Sequence, residues 1–134
     1  MDWQAWARRF EQVRGPEGFA NLFADGGLFC DPVTEWTSDV RSVAEHTDQL
    51  FPDWNSKVDR ILGGSTWAVF EWTGTGTFQS GQSGQSGAEA SHGVPILMHG
   101  ATIVEVDDQG KVTRWRDYLD TNEPLNQIQA AQQG

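Results

Sequence analysis

A chain of 134 residues, 37% of them hydrophobic, is long enough to bury one core and leaves little room for a second domain. Its net charge of −10 and pI near 4.5 repel phosphate backbones and anionic lipid, which sets aside nucleic acid and membrane surfaces as partners. The single cysteine, Cys30, excludes an internal disulfide and, flanked by Phe29 and Asp31, reads as a buried, inert thiol in a reducing cytoplasm.

From the N-terminus, Trp3, Trp6, Phe10 and Val13 recur at spacings of three and four, one helical stripe with Arg8, Arg9, Glu11 and Arg14 off it. No uninterrupted apolar run occurs there, so neither a signal peptide nor an anchor is read, and a cytoplasmic location is expected. Gly15-Pro16 stops this helix and starts another, in which Phe19, Leu22 and Phe23 share a face until Asp25-Gly26-Gly27 ends it. Leu28 to Val33 is short, apolar and interrupted by Pro32, a brief extended segment. Ser38 caps a third helix whose inner side carries Val40, Val43, Ala44 and Leu50, and Phe51-Pro52-Asp53-Trp54 closes it.

The period then changes from that of helices to that of strands. Residues 57–62 alternate, with Val58, Arg60 and Leu62 on one side and Asp59 and Ile61 on the other, before a Gly63-Gly64 turn. Long β-rich runs follow at 66–78, 94–106 and 111–119. The Gly/Ser/Gln repeat within residues 80–92 reads as a flexible hairpin tip, with His92 a lid candidate, and the polar residues from about 126 to 134 read as a frayed tail. Helices first and strands second predict a single α+β domain over residues 1–134.

Three carboxylates draw attention by their neighbours. Asp31 lies among Leu28, Phe29, Cys30 and Pro32, Glu71 lies between Phe70 and Trp72, and Asp117 follows Trp115 by two. Apolar surroundings raise a carboxyl pKa and let it exchange a proton near neutrality. The blander readings are an Asx turn before proline for Asp31 and a salt bridge to Arg114 or Arg116 for Asp117. Strand parity puts Thr113, Trp115, Asp117 and Leu119 on one face, Arg114, Arg116, Tyr118 and Asp120 on the other; Thr102 goes with Asp117, and His99 points away. The histidines 46, 92 and 99 show no metal-ligand spacing.

Phe29-Cys30-Asp31-Pro32-Val33, Leu50-Phe51-Pro52-Asp53-Trp54 and the ending Gly110 to Asp120 resemble the SnoaL-like polyketide cyclases of the nuclear-transport-factor-2-like superfamily. Asp31-Pro32-Val33 looks like the Asp-Pro-Val of ketosteroid isomerases, where the aspartate is the general base; that family's oxyanion aspartate falls on Thr102, and the first helix has no Tyr. Trp115-Arg116-Asp117-Tyr118-Leu119-Asp120 is similar to the strand of limonene-epoxide hydrolase that carries part of an Asp-Arg-Asp triad. Around residues 69–75 this chain has Glu71, Trp72 and Thr73 in place of the partner Arg-x-Asp.

The resemblance implies a cone of three N-terminal helices on a curved, mostly antiparallel sheet enclosing one pocket, and a homodimer through the outer sheet face. It further implies an enzyme without cofactor or metal that cyclises or isomerises a hydrophobic polyketide- or terpenoid-like molecule. Asp117 is then the first acid/base and Asp31 the second; Trp6, Phe10, Trp54, Glu71, Trp72, His99, Thr102 and Trp115 are the expected substrate-binding residues. The alternatives are an epoxide hydrolase or epoxide-opening cyclase, in which Asp117 protonates the epoxide oxygen, and a non-catalytic ligand-binding or dimerisation module.

Overall fold

The computed structural model describes residues 1–79 and 93–133. The expected hairpin tip at 80–92, with His92, lies outside the described residues. Helix α1 (Trp3–Glu11) begins at Asp2, whose carboxylate accepts from the Ala5 amide, and buries Trp3, Trp6 and Ala7. The Trp3 indole donates to the Gly64 carbonyl at 2.7 Å, and the Glu11 carboxylate accepts from the Val58 amide at 2.6 Å, so both ends of α1 are tied to the same strand region.

Helix α2 (Gly15–Ala20) is shorter than its apolar spacing predicts, because Phe23 already opens strand β1 (Phe23–Asp31). Asp25-Gly26-Gly27 therefore does not stop a helix. Gly26, at φ +76°, takes up a shift in register between Phe23 and Leu28 as β1 runs parallel to strand β6 (Val112–Leu119). Pairing with a distant strand overrides the local period. Strand β2 (Thr34–Thr37) was not anticipated; Pro32-Val33 is the turn of a hairpin that pairs Phe29 with Thr37 and Asp31 with Thr34. Helix α3 (Val40–Leu50) is capped one residue later than expected, by Asp39, which accepts from the Ser42 amide.

Strands β3 (Asn55–Gly63), β4 (Trp67–Phe78) and β5 (Val94–Val106) complete a six-stranded sheet in the order β2-β1-β6-β5-β4-β3. All neighbours are antiparallel except β1 and β6, so the sheet is mixed and open. A bulge between Val58 and Arg60 changes the phase of β3: Ile61 is buried and Leu62 exposed, the reverse of simple alternation. A second shift, between Glu105 and Val106, leaves Thr113 exposed beside Arg114 while Val112 and Trp115 are buried.

The expectation of three helices and a frayed tail is corrected by a fourth helix, α4 (Asn122–Gln133). Strand β6 ends opposite Gly100, so among the described residues the first half of β5 has no strand on that side. Helix α4 supplies side chains there instead. Gln127 accepts from the Leu97 amide and donates to its carbonyl, and Glu123 accepts from the His99 amide. Residues four apart on a helix and two apart on a strand are both separated by about 6 Å, which is why the two sets meet.

The core lies between the helices and the inner face of the sheet, with Ala68, Phe70, Val104, Val112 and Thr102 fully buried. The rings of Trp6, Phe10, Phe19, Phe23 and Phe70 stand 5.3 to 6.3 Å from that of Trp115. Among the described residues, packed aromatic rings occupy this part of the interior.

Candidate active site

Asp117 lies on the inner face of β6, directly opposite Thr102 of β5. Two donors converge on one of its oxygens: the Thr102 hydroxyl reaches Oδ1 at 2.5 Å and the Trp115 indole N–H reaches the same atom at 2.8 Å. Thr102 in turn accepts from the Trp72 indole N–H at 2.9 Å. Among the described residues nothing donates to Oδ2, and it is not sealed from solvent. Burial pushes the Asp117 carboxyl up to about 6; the bonds from Thr102 and Trp115 hold it back, and the Asp31 carboxylate adds a smaller upward push.

Asp31 reaches this site through strand register. Phe29 pairs with Trp115 and Cys30 with Arg116 on parallel strands, so the next step along both brings Asp31 alongside Asp117. Its Oδ1 accepts from the Val33 amide at 2.9 Å, so the Asx turn forms and leaves the second oxygen for other partners. Arginine does not neutralise either carboxylate: Arg114 stacks on Trp36 at 4.1 Å and pairs with Glu105, while Arg116 lies over Tyr118 at 5.0 Å, all on the outer face.

The residues expected to bind substrate divide into three groups. Trp72, Thr102 and Trp115 are brought to Asp117, but each spends its polar hydrogen within the network. Trp6 stacks on Phe10 at 5.7 Å within the filled aromatic cluster. Trp54 is half-buried beside Trp72, with ring centroids 6.3 Å apart, and packs against Phe51.

Glu71 and His99 stand apart from the Asp117 network. Glu71 is exposed on the outer face of β4, because its neighbours Phe70 and Trp72 take the inner positions. Glu71 therefore lacks the apolar surroundings its neighbours in sequence suggested. His99 is also on the outer side, where its Nδ1 meets the Glu123 carboxylate at 2.8 Å. That face carries two open grooves of about 430 Å³, one including Glu71, His99 and Tyr118 and the other Asp53, Leu97 and Gln127.

Sequence reading missed Gly100, which pairs with Trp72 across the strands. A Cβ at Gly100 would lie 2.3 Å from the indole ring, so the bare backbone is the seat on which Trp72 rests. A glycine cross-strand from a tryptophan was the available signal.

Several solved structures share the fold. A Catenulispora acidiphila protein of ketosteroid-isomerase-like fold, in complex with trimethylamine, superposes with a TM-score of 0.71 at 16% identity, over 93% of this chain and 89% of that one. IdmH of Streptomyces antibioticus, a candidate polyketide cyclase, gives 0.72 at 17% identity over 95% of both chains. An epoxide hydrolase of M. tuberculosis, similar to limonene-epoxide hydrolase, gives 0.65 at 16% identity over 92% of this chain and 86% of that one. At these identities the likeness is one of fold alone, an α+β architecture of the ketosteroid-isomerase-like kind. A comparison with curated proteins found no relative by sequence. The family model of the SnoaL-like domain matches residues 3–115, from α1 into β6 and ending two residues before Asp117, and the chain belongs to that family.

Proposed function

We propose that this chain is a cofactor-independent acid/base enzyme that cyclises or isomerises a hydrophobic small molecule of polyketide or terpenoid type. The observation that carries the reading is the state of Asp117: a half-buried carboxyl raised to about 6, with Oδ1 occupied and Oδ2 open. Near pH 7 such a group is mostly ionised yet within about one pH unit of its midpoint, which suits a proton acceptor that must also give the proton back. Oδ2 removes a proton from a carbon flanked by carbonyls, and the electron pair moves into the enolate. The new carbon–carbon bond forms when this enolate attacks a carbonyl of the same molecule. Asp31 is assigned the second proton transfer: its carboxylate relays the proton that Asp117 took up to the alkoxide oxygen that gains charge, which returns both carboxylates to their starting state. Two such groups contribute ~10²–10⁴-fold each, on top of the proximity of an intramolecular closure.

A hydrophobic β-diketone in D₂O tests the first step. Wild-type protein should accelerate deuterium exchange at the central carbon, and Asp117→Asn should abolish it. Full exchange activity in both Asp117→Asn and Asp31→Asn would end the acid/base reading.

Protonation of an epoxide oxygen by Asp117 is the second enzymatic reading, supported by the strand Trp115 to Asp120. The lack of any arginine beside Asp117 favours attack by a hydroxyl of the substrate over attack by water. Turnover of terpenoid epoxides without exchange of the diketone would select it. The filled aromatic interior favours the third reading, a non-catalytic binding module, which predicts ligand-induced stabilisation with no turnover of either probe.

The outer face also supports a homodimer. Leu62, Trp67, Leu97, Ile103 and Tyr118 are 40 to 56% exposed there, an apolar surface ringed by charge. Light scattering should give twice the monomer mass, and Ile103→Glu should return it to a monomer; a monomeric wild type removes the dimer from the reading. A cytoplasmic location remains the expectation. Among the described residues no helix is long and apolar enough to cross a membrane.

A further inference from the structure

We propose that Trp72, seated on Gly100, is a positioning residue that acts through Thr102: it holds the Thr102 hydroxyl as a donor to Oδ1 and so confines the transferable proton of Asp117 to Oδ2. The inference deepens the acid/base reading and rests on Asp117 as the proton carrier.

The argument follows from what each group can donate. An indole N–H only donates, so at 2.9 Å the Thr102 oxygen must accept from Trp72. A hydroxyl has one hydrogen, and the 2.5 Å contact to Oδ1 is where it goes. Thr102 is fully buried, so no bulk water competes to turn the hydroxyl round. Oδ1 then faces two donors, Thr102 and Trp115, and a proton placed on it would meet both head-on. Oδ2 faces none among the described residues. The neutral acid therefore carries its hydrogen on Oδ2, the oxygen left without a donor.

Trp72 makes no hydrogen bond to Asp117, and its role depends on Gly100. With the indole lying 2.3 Å from where a Cβ would stand, any side chain at position 100 would lift the ring and break the bond from Nε1 to Thr102. Were Trp72 only a packing residue, removing its N–H while keeping an aromatic ring would leave the titration of Asp117 unchanged. Were it a positioning residue, the same change weakens the Thr102 donor bond and frees the hydroxyl to accept a proton from Oδ1; both effects favour the neutral acid.

The test is a carbon-detected NMR titration of the Asp117 carboxyl, without substrate, in wild type, Trp72→Phe, Thr102→Val and Thr102→Ser. Thr102→Val should move the midpoint up by about 1 pH unit, Trp72→Phe in the same direction by roughly half as much, and Thr102→Ser should return it near wild type. An unchanged midpoint in folded Trp72→Phe overturns the proposal. Should Trp72→Phe fail to fold, the threonine pair decides, and equal midpoints in Thr102→Val and Thr102→Ser overturn it. Because no substrate is present, the result is independent of whether Asp117→Asn loses diketone exchange, so failure of this inference and failure of the enzymatic reading are told apart.

Discussion

Thr102 and Asp117 pair across β5 and β6, and the hydroxyl of the first is bonded to the carboxylate of the second at 2.5 Å. An acid so placed is a stability liability as well as a chemical resource. Its folded pKa of about 6 lies above the ordinary 3.8. Below about pH 3 folded and unfolded chains are both protonated and nothing is lost. As pH rises from about 3 to above 6 the unfolded chain ionises first, so the folded state loses roughly 3 kcal/mol and then levels off. Asp117→Asn retains an oxygen for Thr102 and Trp115 and cannot ionise. Its melting temperature should exceed that of wild type at pH 8, with the difference shrinking toward pH 3. Parallel melting curves across that range would contradict the buried-acid picture.

Removing Asp31 should act on Asp117 with the opposite sign to removing Thr102. The Asp31 carboxylate raises the Asp117 pKa by like-charge repulsion, as the least of the contributions, whereas Thr102 lowers it. Asp31→Asn should therefore move the Asp117 midpoint slightly down in the same NMR titration. A rise, or no movement, would mean that the register of β1 and β6 does not carry the two carboxylates together.

Gly100→Ala forces a methyl group into the Trp72 ring. Overpacking of this kind costs about 1–3 kcal/mol, readable as a lower denaturation midpoint and a change in tryptophan fluorescence. In a Trp72→Phe background the same substitution should cost less, because the smaller ring leaves room. Equal costs in both backgrounds would show that the strain lies elsewhere.

Helix α4 is held by side chains, so its grip can be read amide by amide. Gln127→Ala should speed hydrogen exchange at Leu97, and Glu123→Ala at His99, with little change elsewhere in β5. The bonds from His99 hold the Glu123 carboxyl below its usual range. That contribution is present above about pH 4.5 and is lost as pH falls through the depressed value. Protection of the His99 amide should decline on acidification in wild type and show no such decline in Glu123→Gln. Uniform exchange changes along β5 would argue for general fraying.

How much of this was legible before the fold was known depended on whether a residue's partner lay nearby. The run 94–106 coincides with β5, and the period of two put Thr102 with Asp117 and turned His99 away, because alternation is a local property of extended chain. Helix α2 and strand β1 divide at Phe23 for a non-local reason, the parallel pairing with β6. Asp59 defeats alternation because the bulge there depends on how β3 meets β4, and the Glu11 carboxylate that satisfies the Val58 amide lies 47 residues away. Glu71 misled for another reason: apolar neighbours in sequence sit on the opposite face of a strand. The Gln-rich end read as a tail because its helix draws its support from the Leu97 and His99 backbone.

That last contact bears on solubility. The stretch Val94 to Met98 combines apolar residues with a backbone row that, among the described residues, no strand covers on the β6 side. Uncovered, such a row templates addition of a strand from another molecule. Glu123 and Gln127 occupy its hydrogen-bonding groups with side chains that cannot propagate a sheet, so the C-terminal helix acts as a guard against edge-to-edge association, and cutting the chain after Thr121 would turn a folded monomer surface into a seed for aggregation.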